Sequence, residues 1–232
     1  MGNGPVFPAE PPPQHQINAL FPAYTLRELH ADRIIHLIGL PAAVGGIACL
    51  LAVATPIATA KLIITLMVYG AGLLGMLGAS AAYHLSRPGR GKEIWRRVDR
   101  AMIFAMIAGT YTPFALNVLP SATGSRLCAA LWLVAAAGMT VTLAFPRRLE
   151  RLLLVVYLVM GWSIVGTFGT LLAVLPSSVI LLLLLGGIVY SIGSMIHLLQ
   201  RLPFHNVVWH ALVLLGAGLH LAALAVAFSP TA

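Results

Sequence analysis

Charged residues are scarce in this sequence: they make up 9% of its 232 residues, against 59% hydrophobic residues. Because a soluble domain carries about 25% charged residues, the composition argues against an ordinary water-soluble fold. Cysteine is also scarce. Cys49 and Cys128 both lie in apolar segments, which does not indicate a disulfide framework or a cysteine metal site. Walker, Rossmann and serine-triad signatures are missing as well. These absences together predict an integral membrane protein.

Most of the sequence consists of long apolar runs. Seven segments are long enough to cross the hydrocarbon core, which takes about 20 apolar residues in a helix, and they lack the short alternating pattern of a spanning barrel. We therefore predict an all-α fold, a seven-transmembrane helix bundle. It forms one domain at residues 24–228, between a disordered tail at 1–23 and a short tail at 229–232. The predicted spans lie near residues 34–55, 62–85, 101–119, 127–145, 152–175, 179–199 and 207–228.

Most basic residues fall on one side of this predicted bundle, and only Lys61 and Arg126 fall on the other. Since basic loops stay in the cytoplasm, we expect a cytoplasmic N-terminus and an outer C-terminus in a bacterial-type inner (plasma) membrane. The net charge of +8 is then an orientation signal and does not indicate nucleic-acid binding. The sequence pattern of residues 24–33 predicts a short amphipathic helix at the membrane–water interface. The basic residues of the cytoplasmic side are Arg27, Arg33, Arg87, Arg90, Lys92, Arg96, Arg97, Arg100, Arg147, Arg148, Arg151 and Arg201.

Histidines collect at the predicted cytoplasmic ends of the spans. Asp99 begins the third span at the same level, whereas His220 lies about 15 Å deeper in the last helix at 1.5 Å per residue. Ionisable groups in a membrane are costly to keep and are functional candidates by default. The histidines of this level are His36, His84, His197, His205 and His210.

This arrangement predicts a zinc site. Neutral imidazoles that converge from several helices and leave an open position are what a catalytic zinc ion requires, and the ion would lower the pKa of a bound water to about 7. Asp99 would orient that water or act as general base. Ser80, one helical turn before His84, would serve the surroundings of the metal or the substrate. Histidine and oxygen ligands fit zinc better than calcium or magnesium.

Simpler interpretations exist for each residue alone. Asp99 could cap the third helix or pair with neighbouring arginines, and His36 could bond Asp32 on the surface of the first helix. For any single histidine the simpler interpretation is favoured. For the set of His84, Asp99 and His210 we favour a site, because separate placement does not explain a shared depth on three helices.

Four stretches of the chain carry a family resemblance: the motif SAAYH at 80–84, RVDRAMIFAMIAGTYTP at 97–113, GIVYSIG at 187–193, and Trp209–His210 with His220 ten residues on. Together they resemble the hemolysin III family, which belongs with the progestin and adipoQ receptors and, more distantly, with the alkaline ceramidases. The resemblance runs from about Tyr24 to Phe228. It implies a seven-helix bundle with zinc near the cytoplasmic side.

The resemblance also implies roles for particular residues. In the receptors the zinc ligands are the histidine of Ser-x-x-x-His and two histidines spaced i, i+4 in the last helix, while an aspartate holds the water. His84, His210 and Asp99 match, but Asn206 stands where the first histidine of the last pair would be. His205 is one position away, about 100° around a helix. The third ligand is therefore open: His205 brought in by a loop, Asn206, or another group.

Three functions remain open at this point. The first is a zinc-dependent hydrolase of membrane lipid amides, similar to a ceramidase. The second is a non-enzymatic protein of membrane-lipid homeostasis or sensing, with a structural or weakened metal site. The third, a pore-forming haemolysin, is least favoured because the spans lack a polar stripe that could line a pore. Metal content and cleavage of a lipid amide would distinguish the first two.

Overall fold

The structure, a computed structural model, describes residues 21–145, 147 and 149–230. Within these residues it contains helices and no strands, in agreement with the predicted all-α class. The tail predicted for 1–23 lies almost wholly outside the described residues. A 3₁₀ segment at Ser163–Thr167 separates the fifth and sixth helices. The helices are α1 (Leu26–Ala54), α2 (Ala60–Leu85), α3 (Arg90–Asn117), α4 (Ser121–Ala144), α5 (Glu150–Trp162), α6 (Phe168–Val174), α7 (Ser177–Leu198) and α8 (His205–Ala227).

Six helical segments of the described chain are long and apolar enough to cross a membrane. The remaining long helix, α3, carries several charged residues in its first turns. With this number of apolar helices the protein is a multi-pass helical membrane protein. The six segments cover residues 26–57, 60–85, 121–144, 150–174, 177–198 and 205–227.

The helix that opens each predicted span begins before that span in the structure, and the difference is largest for α1 and α3. The side chains and backbones of Thr25 and Glu28 form a capping box at the start of α1, which satisfies free backbone N–H groups there. Segment 24–33 therefore does not form a separate interfacial helix, because from Leu26 onward it makes up the opening turns of α1. Helix α3 begins at Arg90. Asp99 consequently lies inside α3, so it cannot act as the N-cap of that helix.

Small residues let α2 and α3 pack backbone against backbone. A Cβ added to Gly72 would lie 3.4 Å from the carbonyl oxygen of Ala105, and one added to Gly109 would lie 3.4 Å from that of Val68. Larger side chains at these glycines would push the helices apart. Helix α8 packs against α7 and α1, and α1 also packs against α2. The start of α1, the end of α2, the first half of α3 and the start of α8 thus meet at one end of the bundle.

An ion-pair network fixes α3 against α5 at this end. Arg96 is only 3% exposed, and its guanidinium donates to Glu93 at 2.7 Å and to Glu150 of α5 at 2.6 Å. Burial tends to raise the pKa of Glu93, but hydrogen bonds from Arg96 and Arg147 outweigh it and lower that pKa to about 2. Since Asp99 lies one turn after Arg96, the network also fixes the position of Asp99 in the bundle.

Candidate metal centre

A carboxylate from α1 lies between two histidines from other helices. Asp32 Oδ1 is 2.5 Å from His210 Nδ1 on α8, and Asp32 Oδ2 is 3.2 Å from His84 Nδ1 near the end of α2. The rings of His84 and His210 are in edge contact, with centroids 4.4 Å apart. Ligating atoms of the three side chains all lie within 4.8 Å of one another. Asp32, His84 and His210 therefore form a compact set that can bind one ion.

Asn206 holds the carboxylate of this set from α8. Its Nδ2 donates to Asp32 Oδ1 at 3.3 Å. Asn206 and His210 are four residues apart in one helix, so both side chains project from the same face. The amide that replaces the expected histidine is therefore a hydrogen-bond donor to the carboxylate, and the two side chains are buried together.

His36 and Ser80 extend the arrangement on α1 and α2. His36 Nδ1 lies 2.8 Å from the backbone carbonyl oxygen of Asp32, which can only accept, so this nitrogen carries the proton and donates. In the neutral ring Nε2 then accepts, and the Ser80 hydroxyl donates to it at 3.2 Å. The His36 ring also stacks on that of His84, with centroids 5.4 Å apart. These contacts place the Ser80 hydroxyl beside the compact set, where it also lies within hydrogen-bonding range of Asp99.

An apolar cavity of about 140 Å³ opens beside these groups. His36, Ser80, Asp99 and His210 form the polar part of its wall at one end, and Asp99 lies within electrostatic range of His210. The rest of the wall is largely apolar and reaches His220 farther along α8. A few convergent polar groups in an apolar cavity are typical of ligand sites. We use the name polar layer for Asp32, His36, Ser80, His84, Asp99 and His210.

Four of the five site residues proposed from the sequence meet in the polar layer. His205 lies outside the compact set. Its Nδ1 donates to the carbonyl oxygen of Leu202 at 2.9 Å, and its ring contacts that of Tyr24 at 5.9 Å between centroids. Helix α8 begins at His205 itself, so no loop carries this side chain toward His210. The four residues that meet are Ser80, His84, Asp99 and His210.

Sequence reasoning missed Asp32 and underrated His36. Asp32 was considered only as a partner of His36 on the helix surface, and the structure shows that it also contacts His84 and His210. A usable signal was present, since a carboxylate one turn before an intramembrane histidine lies at the same end of the bundle as the other candidates.

The ligand atoms that Asp32, His84 and His210 offer are of the kinds that transition metals bind. Two imidazoles and one carboxylate are the protein ligands of several catalytic zinc sites, where a fourth position stays open for water or substrate. Calcium and magnesium prefer oxygen ligands throughout. The residues present in this chain, Asp32, His84 and His210, thus suit zinc better than either of those ions.

Comparison with known proteins gives consistent matches over most of the chain. The family model described as Haemolysin-III related matches residues 29–221. The Hemolysin-3 homolog of Bacillus subtilis (strain 168) is 33% identical over 194 residues, which are 84% of this chain and 91% of that protein. Hemolysin-3 of Bacillus cereus is 31% identical, with 84% of this chain and 89% of that protein covered.

A human relative is more distant. Monocyte to macrophage differentiation factor of Homo sapiens is 27% identical over 169 residues, which are 68% of this chain and 67% of that protein. No solved structure matches the chain. The family match contains every residue of the polar layer, from Asp32 to His210. The chain therefore belongs to the Haemolysin-III related family.

Proposed function

We propose that this protein is a zinc-dependent hydrolase of membrane lipid amides, such as ceramide-like lipids. The observation that carries the proposal is the convergence of Asp32, His84 and His210 at the polar end of an apolar cavity. A soluble substrate would not require an apolar wall of this kind, whereas a lipid chain is well matched to it. The polar end would take the amide group and the apolar wall would take the chain.

Asp32, His84 and His210 would hold the metal. Asn206 replaces the first histidine of the last-helix pair. Of the ways to complete the site without that histidine, we favour a group from another helix, and Asp32 is that group. A zinc ion held there would polarise a carbonyl and lower the pKa of a water molecule. Asn206 would keep the Asp32 carboxylate in place through its hydrogen bond, as partners of metal ligands commonly do.

The other residues of the polar layer would position the substrate and move protons. Asp99 faces the cavity near His210, where its carboxylate would accept a proton from the attacking water and return it to the leaving nitrogen. The Ser80 hydroxyl, oriented by His36, would hydrogen-bond to the amide group of the lipid. These are the same roles that the sequence led us to expect for the two residues.

The same proposal includes the membrane topology. The seven helical segments, with α5 and α6 counted together, would all cross the membrane, and the polar layer would lie on the cytoplasmic side. Lys and Arg dominate the loops at the polar-layer end, which supports a cytoplasmic N-terminus and an outer C-terminus. In a bacterial-type inner membrane the site would then act on lipids of the inner leaflet.

Metal analysis of detergent-purified protein tests the metal centre. We expect about one zinc per chain in the wild type, since the described residues contain one compact donor set, and its loss in Asp32→Ala, His84→Ala and His210→Ala. His205→Ala serves as the matched control on α8 and should retain zinc. Retention of zinc in all three ligand variants, or zinc loss in His205→Ala with retention in Asp32→Ala, would contradict the proposed ligand set.

Turnover of a ceramide-type amide tests the hydrolase. Asp99→Asn should retain zinc but lose at least about 100-fold in rate, because a positioned general base contributes about 10²–10⁴-fold. Zinc binding without cleavage of any lipid amide by the wild type would instead favour the second function, membrane-lipid sensing with a structural metal.

A further inference from the structure

A second apolar cavity of about 50 Å³ continues from the first toward the opposite end of the bundle. It is lined by residues near the end of α3, the start of α4, one side of α6 and the start of α7, among them Leu119, Leu127 and Ile180. The two cavities have common wall residues, so they adjoin inside the bundle. The common residues are Thr110, Tyr111, Gly161, Trp162, Gly187 and His220.

Three large side chains stand where the cavities adjoin. The two shared glycines have no side chain, and the Thr110 hydroxyl turns back to donate to the carbonyl oxygen of Met106 in its own helix. The remaining shared residues come from three different helices, and we use the name constriction for Tyr111, Trp162 and His220.

Hydrogen bonds hold Tyr111 against the junction between α5 and the 3₁₀ segment that follows it. The Tyr111 hydroxyl donates to the carbonyl oxygen of Gly161 at 2.6 Å and accepts from the backbone N–H of Ile164 at 2.8 Å. Gly161 lies just before the 3₁₀ segment at Ser163–Thr167 and Ile164 lies within it, where the α-helical pattern is interrupted. The Tyr111 hydroxyl thus satisfies two backbone groups at a position where the helix is interrupted and the backbone needs other hydrogen-bond partners.

The other two side chains of the constriction are held against α7. Trp162 Nε1 donates to the Ser191 hydroxyl at 3.0 Å, and His220 Nε2 lies 3.3 Å from the carbonyl oxygen of Leu183, to which it donates. Glycines of α7 make room for both rings. A Cβ on Gly187 would lie 3.5 Å from the Trp162 ring, and a Cβ on Gly186 would clash with the His220 ring. The constriction is therefore a fixed part of the packing.

The distance from the polar layer to the constriction matches the length of a lipid chain in one leaflet. His220 lies about 15 Å along α8 from His210, at 1.5 Å per residue. Half of the hydrocarbon core is also about 15 Å thick. A lipid chain that starts at the polar layer would therefore reach the constriction at about the depth where the chains of one leaflet end.

We propose that the constriction limits the length of the lipid chain that the protein binds, and that the second cavity receives the end of a longer chain only when substitution of a constriction side chain opens the way. This inference rests on the proposed function, because it takes the ligand to be a lipid with one chain in the first cavity. The residues that set the limit are side chains that the metal centre does not use.

Competition binding with a series of saturated fatty acids of increasing length, against a fluorescent fatty acid, tests the proposal. In the wild type we expect affinity to rise with chain length, by up to about fourfold for each methylene buried, and then to fall once the chain reaches the constriction. In His220→Ala and in Trp162→Leu the maximum should shift to longer chains.

Trp132→Leu is the matched control. Trp132 lies on α4, its Nε1 donates to the Thr112 hydroxyl at 3.1 Å, and it lines neither cavity. Its substitution should leave the length of the best chain unchanged. Tyr111→Phe keeps the ring and removes the hydroxyl, so it should lower stability without moving the maximum.

An unchanged maximum in both His220→Ala and Trp162→Leu would overturn the constriction while leaving the hydrolase proposal intact. An equal shift in Trp132→Leu would overturn it too, because the effect would not come from the cavity wall. Failure of the wild type to bind any fatty acid of the series would count against the lipid-chain cavity itself. Zinc content and amide turnover would then judge the rest of the proposed function separately.

Discussion

Two imidazoles of helix α8, those of His210 and His220, lie in very different surroundings. His210 meets Asp32 from α1 and the ring of His84 from α2, whereas His220 has one backbone carbonyl partner and the ring of Tyr190 at 5.5 Å. Both line the same cavity. The difference is the carboxylate: one histidine is part of a donor set, and the other forms part of an apolar wall. An intramembrane histidine becomes a metal candidate when the packing of other helices brings ligands to it.

Of the changes considered, removal of the Asp32 charge should have the largest effect on zinc affinity. Asp32→Asn keeps the size of the side chain but leaves the metal with two histidines and a neutral amide. Changes in partners of metal ligands already cost about 10–100-fold in affinity, so we expect the loss of the ligand charge to exceed about 100-fold, measured by competition with a zinc indicator. His30→Ala, at an exposed position of α1, should bind zinc as the wild type does. Near-normal affinity in Asp32→Asn would mean that the two imidazoles of α8 differ for another reason.

Metal removal should affect the two ends of the cavity unequally. A ligand present at 100 times its dissociation constant stabilises the folded state by about 2.7 kcal/mol, so a chelator should lower the melting temperature of the wild type and have no effect on His84→Ala. Hydrogen exchange should locate the change. We expect faster exchange in the first turns of α1 and α8 after chelation, and unchanged exchange around His220. Uniform acceleration along the whole of α8 would contradict a metal centre confined to the polar layer.

Asn206 offers a finer test at the same end. Asn206→Ala removes the hydrogen bond to Asp32 Oδ1 but keeps all three proposed ligands, so we expect zinc affinity to fall by about tenfold, as for other residues that orient metal ligands. The control is Asn117→Ala on α3, because Asn117 Nδ2 also donates to a side chain, the hydroxyl of Thr65. A complete loss of zinc in Asn206→Ala would instead make Asn206 a ligand.

The sequence was sufficient for the helical fold and for most of the polar layer, for physical reasons. Apolar runs must span the membrane as helices, and one observed helix covers most of each predicted span except the fifth, which α5, the 3₁₀ segment and α6 share. His84, Asp99 and His210 were identifiable because ionisable residues are rare in such runs. The early start of α3 was missed because its first turns are charged and carry no apolar pattern.

The contacts between helices could not be predicted in the same way. Asp32 lies in another helix from His84 and His210, and only the packing of α1 against α2 and α8 shows that its carboxylate reaches both. Helical periodicity indicated that His205 and His210 face different directions on α8, but it could not identify the group that takes the place of the missing histidine. The constriction likewise depends on the packing of α3, α5 and α8 around glycines of α7.

The smallest expected effect concerns His220 and the metal. His220→Ala removes an imidazole about 15 Å along the helix from His210, and substitutions at such a distance add to others within about 0.3–0.5 kcal/mol. Zinc affinity should therefore stay within about twofold of the wild type, in the same indicator competition in which Asp32→Asn loses it. This result, together with a shifted chain-length preference, would assign the two imidazoles of α8 to separate tasks. A marked loss of zinc in His220→Ala would join them into one site, and the contrast between the two ends of the cavity would fail.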